Sequence, residues 1–191
     1  METILDHKLR RGSIVLTLEP AETQEKLHFD ARFDTDHAAD VLFEQIVQGF
    51  VDSDKSWAWP LLYERTPEPL LGDLHVGKQF RMGYSIPRWE DPLKTLPEVV
   101  YNYRLTNFSR EDHIFEYEGI GHDMAGGGLF HAATLSPTAS RFEWRGAYQS
   151  EPGNEKVHAG FKRYLPVLFE AFESCVESGP GEVHQTQRLI D

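Results

Sequence analysis

From Lys26 the chain alternates with a period of two: Leu27, Phe29, Ala31 and Phe33 share one face, and His28, Asp30 and Arg32 the other. Successive strand side chains point to opposite faces, so this pattern predicts a half-buried strand. The period then lengthens. Thr35 and Asp36 offer an N-cap, and Val41, Leu42, Ile46 and Phe50 form a helical stripe, predicting a helix over 38–50. A second short helix is predicted over 52–59, ended by Pro60. Ahead of these elements, residues 1–25 read as an N-terminal arm in which 13–18 (Ser-Ile-Val-Leu-Thr-Leu) forms a short strand.

Beyond the proline-containing loop at 66–69, the chain reads as consecutive strands. Phe80, Met82, Tyr84 and Ile86 alternate with polar or small residues, as do Val99, Tyr101, Tyr103 and Leu105. A polar turn at 109–112 leads to Phe115 and Tyr117. Folding this hairpin so that Arg104 faces Glu116, Tyr103 faces Tyr117 and Leu105 faces Phe115 makes one face aromatic and leaves a charge pair on the other. A strand from Leu129 to about Ser136 follows, then a turn at Pro137-Thr138 and a strand carrying Phe142, Trp144 and Tyr148 on one face. A two-residue loop would turn His131 inward opposite Trp144, together with Leu129, Ala133 and Leu135; a three-residue loop would put Phe130 and Ala132 inside instead. The first register is the expected one.

The last element is a long amphipathic helix over 155–177, with Asn154 as N-cap and Gly179 as stop. Val157, Phe161, Tyr164, Leu165, Leu168, Phe172, Cys175 and Val176 fall in one arc, and Lys162, Glu170, Glu173 and Glu177 opposite it. Pro166 falls near the outer side and should kink the helix rather than end it. The expected organisation is an arm over 1–25, a domain over 26–178 and a tail over 179–191.

Composition narrows the function. Nineteen Lys and Arg against 31 Asp and Glu give a formal charge of −12, which disfavours a nucleic-acid partner. No run approaches the ~18 apolar residues of a membrane span. The first residues carry an early acid and no apolar core, so no signal peptide is expected. With Cys175 alone no internal disulfide is possible, and a cytoplasmic protein is expected.

The strand over 26–34, the stretch ending Trp57-Ala58-Trp59-Pro60, the sequence Leu74-His75-Val76-Gly77-Lys78-Gln79-Phe80, the strand Arg141-Phe142-Glu143-Trp144 and the closing helix together resemble the START-like superfamily. It is also described as the Bet v 1-like or SRPBCC, polyketide cyclase-type helix-grip fold. The resemblance covers roughly 26–177. It implies an α+β helix-grip domain: a curved antiparallel sheet wrapped around a long C-terminal helix, with two short helices after the first strand. It also implies a cavity for an apolar or aromatic ligand between sheet and helix. Members include carriers, cyclases and aromatases, and co-chaperone modules, so fold does not name the function.

The residues themselves carry no Walker loop, nucleophile elbow or paired Cys-x-x-Cys. The triple glycine 126–128 reads as a flexible loop or portal lip. The nine histidines are scattered, and neither metal nor cofactor is expected. The expected ligand-binding set is Tyr84, Tyr101, Tyr103, Tyr117, Trp144 and Tyr148 from the sheet, with Phe161 and Tyr164 from the helix. Tyrosine offers an apolar ring and one hydroxyl, which suits a hydrophobic or aromatic small molecule with carbonyl or phenol groups. His131, if inward, is the candidate general acid or base of a cyclase, aromatase or dehydratase. Cys175 reads as inert packing. A carrier or sensor is the first expectation and the enzyme the second. The third is a protein adaptor using Leu70, Leu71 and Trp89.

Overall fold

The computed structural model describes residues 1–51, 56–59, 74–84, 99–120 and 126–179; at 51, 81–84 and 99–101 it describes the backbone alone. One eight-stranded antiparallel sheet dominates, in the order β1-β2-β3-β8-β7-β6-β5-β4. The strands are β1 (Glu2–Lys8), β2 (Gly12–Glu19), β3 (Glu25–Thr35), β4 (Gln79–Tyr84), β5 (Val99–Ser109), β6 (Ile114–Ile120), β7 (Gly128–Ser136) and β8 (Ala139–Ser150). Helix α1 (Ala39–Val51) follows β3, and α2 (Glu155–Ser178) closes the described chain. The sheet curves around α2 in a helix-grip arrangement.

The strand predicted from Lys26 pairs along its whole length with β8, from Glu25 opposite Ser150 to Thr35 opposite Ser140. Leu27, Phe29, Ala31 and Phe33 all face the core. Residues 1–25, expected as an arm with one strand, form two strands of the same sheet, with Ile14 and Leu16 fully buried. Edge strand β1 carries its apolar residues at Ile4 and Leu5 amid polar ones, which hides it from a period-two reading.

Helix α1 packs on β7 and β8 through Leu42, Phe43, Ile46, Val47 and Phe50. Val41, expected in that stripe, is 43% exposed, and Phe43 takes its place inside. Of the short helix expected over 52–59, residues 52–55 lie outside the described residues and 56–59 form a turn. Trp59 there donates its Nε1–H to the Ile46 carbonyl at 2.9 Å, which fastens the turn to α1.

Two β-bulges correct the predicted registers. Between β5 and β6 the inward face is as expected, but Arg104 lies opposite Glu118, and Leu105 opposite Tyr117. Up to Leu105 the pairing is offset by two residues from the expected one, so parity survives there and Arg104 bridges Glu118 instead of Glu116; past Thr106 the bulge adds one more, and Phe108 lies opposite Phe115. Between β7 and β8 the two-residue loop is present, with Ser136 opposite Ala139, but a bulge at Leu135 reverses the parity. Phe130 then pairs with Trp144, and Phe130 and Ala132 are fully buried. The expected inward positions of Leu129, His131, Ala133 and Leu135 are overturned, and Leu135 is 48% exposed.

Asn154 caps α2, its side chain accepting the Val157 N–H at 3.3 Å. Phe169, left out of the predicted arc, is fully buried with Phe172, Leu165 and Val176. Glu173, expected outward, is 4% exposed. Its carboxylate accepts the backbone N–H groups of Arg10 at 2.9 Å and Arg11 at 2.5 Å. The β1–β2 hairpin thus wraps a second side of the helix, helped by His7 to Glu170 and Arg10 to Glu177, each at 2.8 Å.

At the other end of α2, Glu25 is 3% exposed. It accepts from Ser150 Oγ at 3.0 Å and the Gly153 N–H at 3.2 Å, and it pairs with His158. Burial alone would push its carboxyl up; the Gly153 amide, His158 and Ser150 outweigh that and hold it below the ordinary glutamate value. A depressed carboxyl stabilises the fold above the unfolded-state pKa, 4.5, and the contribution is lost as pH falls through the folded value. The free energy of unfolding of the natural protein should therefore fall on acidification below that pH, and Glu25→Gln should flatten part of the slope. Parallel slopes in urea titrations of the two proteins would refute the assignment.

A second expectation comes from β3 and β8. Gly146 lies opposite Phe29, and a Cβ there would overlap the Phe29 ring. Gly146→Ala should cost about 1–3 kcal/mol through overpacking, measured by chemical denaturation.

Candidate functional site

The concave face of the sheet is aromatic because the period-two pattern of five strands turns the same way. Phe80 of β4, Tyr103 of β5, Phe115 and Tyr117 of β6, Phe130 of β7 and Trp144 of β8 meet there, with Phe169 and Phe172 arriving from α2. The face divides in two. At one end Phe50 stacks on Phe115 with centroids 4.2 Å apart and meets Trp59, Phe80 and Phe130 edge-on. Phe115, Phe130, Phe142 and Phe172 have no exposed surface there. This end is solid core.

The other end is different. Tyr117, Tyr148, Phe161 and Tyr164 pack against the core but stay only half-buried. Tyr148 packs on Phe161 with tilted rings, centroids 4.6 Å apart, and Tyr103 meets Tyr117 edge-on at 5.1 Å. Trp144 donates its Nε1–H to the Tyr117 hydroxyl at 3.2 Å, which places a polar group among these rings. The triple glycine, expected as a flexible loop, serves close packing instead: Cβ atoms at Gly126 and Gly128 would overlap the Ala147 carbonyl and the Tyr117 ring.

Of the expected site residues, Tyr103, Tyr117, Trp144, Tyr148, Phe161 and Tyr164 therefore share this interior. The side chains of Tyr84 and Tyr101 lie outside the described ones; their backbones pair with Val99 and Met82. Leu70, Leu71 and Trp89 also lie outside the described residues. His131 stands on the opposite face of the sheet, its Nδ1 3.0 Å from Glu143 Oε2. The bulge at Leu135 puts it there. Phe80, Phe130 and Phe169 belong to the interior and were missed. Phe80 lies on the predicted face of its strand, and Phe169 sits four residues after Leu165 and three before Phe172. Burial pushes the Cys175 thiol up, in keeping with packing rather than reactivity.

Among the described residues no group of three or more His, Cys, Asp or Glu is placed to hold a metal ion. No helix among them is long and apolar enough to cross a membrane. A groove of about 630 Å³ on the outer face, flanked by His28, Asp30 and Arg145, gathers none of the expected set except Tyr117.

No family model matches the chain, and no curated protein matches it in sequence. Among solved structures, the Zhui aromatase/cyclase from Streptomyces sp. R1128 aligns with a TM-score of 0.54 at 12% identity, over 78% of this chain and 88% of that one. Ara h 8.0201 aligns with a TM-score of 0.52 at 14% identity, over 80% and 99%. Norcoclaurine synthase from Thalictrum flavum aligns with a TM-score of 0.51 at 10% identity, over 82% and 87%. At such identities the likeness shows the fold, and the fold is the helix-grip, Bet v 1-like one.

The Trp144–Tyr117 bond gives a direct expectation. Tyr117→Phe leaves the Trp144 N–H unpaired in a largely apolar setting and should destabilise by about 1–3 kcal/mol. Unfolding followed by tryptophan fluorescence measures it, and a neutral result would show that the bond carries no stability.

Proposed function

We propose that the protein binds an apolar or aromatic small molecule between the concave sheet and the first half of α2, as a carrier or sensor. The observation that supports this is the half-burial of inward-pointing aromatic residues. Tyr117, Tyr148, Phe161 and Tyr164 face the interior yet keep accessible surface, whereas the phenylalanines beyond them keep none. A ligand seated against them would bury that surface at about 25 cal/mol per Å² of apolar area. The Tyr117 hydroxyl would orient a carbonyl or phenol group of the ligand.

The likeness in fold to an aromatase/cyclase favours a second reading, in which the same interior performs a cyclisation or dehydration. Its expected acid–base group was His131, which stands on the other face. Binding is the preferred reading for that reason.

Native mass spectrometry of protein purified from cell extract should show a retained small molecule. In solution, 1-anilinonaphthalene-8-sulfonate should bind saturably and quench tryptophan emission, and the quenching should shrink in Trp144→Phe. Tyr117→Trp, which fills the space, should weaken the probe by at least about tenfold, the loss expected when a few contacts are replaced by a clash. A protein that retains nothing and binds no probe would sink both readings.

A further inference from the structure

A second cavity, of about 550 Å³, lies at the far end of α2 and is lined by Arg10, Arg11, Thr35, Asp36, His37 and Glu177. From these residues we infer a binding site for a small soluble oxyanion, phosphate or a phosphomonoester. The chain as a whole is strongly acidic, yet two guanidinium groups and an imidazole converge here.

The scaffold behind them is fixed. Glu173 holds the backbone N–H groups of both Arg10 and Arg11, and the Arg11 carbonyl accepts the Asp34 N–H at 3.1 Å. The His37 ring donates through Nε2 to the Val176 carbonyl at 2.9 Å and packs on Trp57 at 4.8 Å. The His37 carbonyl in turn accepts from Ser140 Oγ at 2.8 Å. Both arginines therefore project from a turn whose backbone is already committed, which lowers the ordering cost of binding.

Thr35 is the second, independent observation. It is 1% exposed, lines the cavity, and its hydroxyl has no hydrogen-bond partner among the described residues. Buried hydroxyls are ordinarily paired, so an orphan in a cavity wall points to a missing partner. A phosphate oxygen supplies the acceptor.

Asp36 shows the geometry such a ligand would use. Its two carboxylate oxygens accept from Arg11 Nη1 and Nη2 at 2.8 and 2.9 Å, the fork-to-fork contact that guanidinium makes with oxyanions. The Asp36 side chain is 81% exposed, so an incoming anion displaces it at little cost. The Arg10 guanidinium, itself exposed, is paired among the described residues with Glu177. The carboxylate of Asp36 is thus a competitor for the site.

That competition sets the sign of the decisive experiment: calorimetric titration of the full chain with inorganic phosphate at low salt, with circular dichroism melts confirming the fold of each variant. Asp36→Asn should tighten phosphate by about two- to fivefold, the range an exposed ion pair is worth. Arg11→Gln should weaken it by at least about tenfold. Thr35→Val should weaken it without lowering thermal stability, since the hydroxyl it removes has no partner among the described residues; a merely structural threonine would leave affinity unchanged. Phosphatidic acid vesicles form a separate arm. Capture by vesicles without binding of soluble phosphate overturns the assignment. So does the absence of saturable binding in both the natural protein and Asp36→Asn, which keeps the test decisive should Arg11→Gln fail to fold.

Discussion

The rest of the structure depends on the pairing of β3 with β8 and the match of side-chain sizes along it. Residues over a hundred positions apart lie opposite one another from Glu25–Ser150 to Thr35–Ser140. On the inner face Phe29 opposes Gly146, Ala31 opposes Trp144 and Phe33 opposes Phe142. On the next strand Gly128 lies beside Gly146, Phe130 beside Trp144 and Ala132 beside Phe142, so each row of three across these strands holds at least one Gly or Ala. Where one strand supplies a large ring, a neighbour gives way, which is how rings in adjacent rows interdigitate at interior density. The Phe33–Phe142 pair, large on both sides, resolves by stacking at 4.7 Å, and Ala132 makes room beyond it.

This ladder fixes the parity of every strand hydrogen-bonded outward from it, so the polar residues fall outside together. Asp34 meets Arg141 at 2.6 Å, Asp30 meets Arg145 at 3.5 Å, and Glu143 meets His131 at 3.0 Å. These pairs are mostly exposed and contribute little individually. Their value is in register, since a slip of one residue would carry each charge into the aromatic face.

Much of this was legible from residue order. The period from Lys26, the long helix after Asn154 and the inward turn of Tyr103, Tyr117 and Trp144 follow from spacing alone. The errors came from features with no periodic signal. A bulge is one extra residue whose side chain breaks no pattern until pairing is known. The bulge at Thr106 lies beyond Leu105, after an even offset that left Tyr103 and Leu105 inward; the bulge at Leu135 lies next to the turn, so it reversed the whole strand before it and moved His131 to the other side. Glu173 failed for another reason. A helical wheel assigns a carboxylate to water, and only the β1–β2 hairpin, distant in sequence, supplies the two amides that make its burial favourable. The oxyanion cavity was invisible likewise, since Arg10, Arg11, Thr35 and Glu177 meet only once that hairpin folds over α2.

Both ends of α2 are held by buried carboxylates, but in opposite senses. At its start the sheet supplies the acid, Glu25, and the helix supplies His158. Near its end the helix supplies the acid, Glu173, and the sheet's first hairpin supplies the amides. Lifting the helix would part His158 from Glu25 at one end and leave the Arg10 and Arg11 amides without Glu173 at the other, so moving either end strips a buried group of its partner. The helix is therefore restrained at its termini by directional contacts, and between them by aromatic packing against Phe29, Trp144 and Phe142. A ligand of the kind proposed, entering beside Tyr117 and Phe161, would meet a wall already in place. The cost of binding would then fall on side-chain ordering and not on helix displacement, which is the condition under which a modest apolar surface suffices to hold a small molecule.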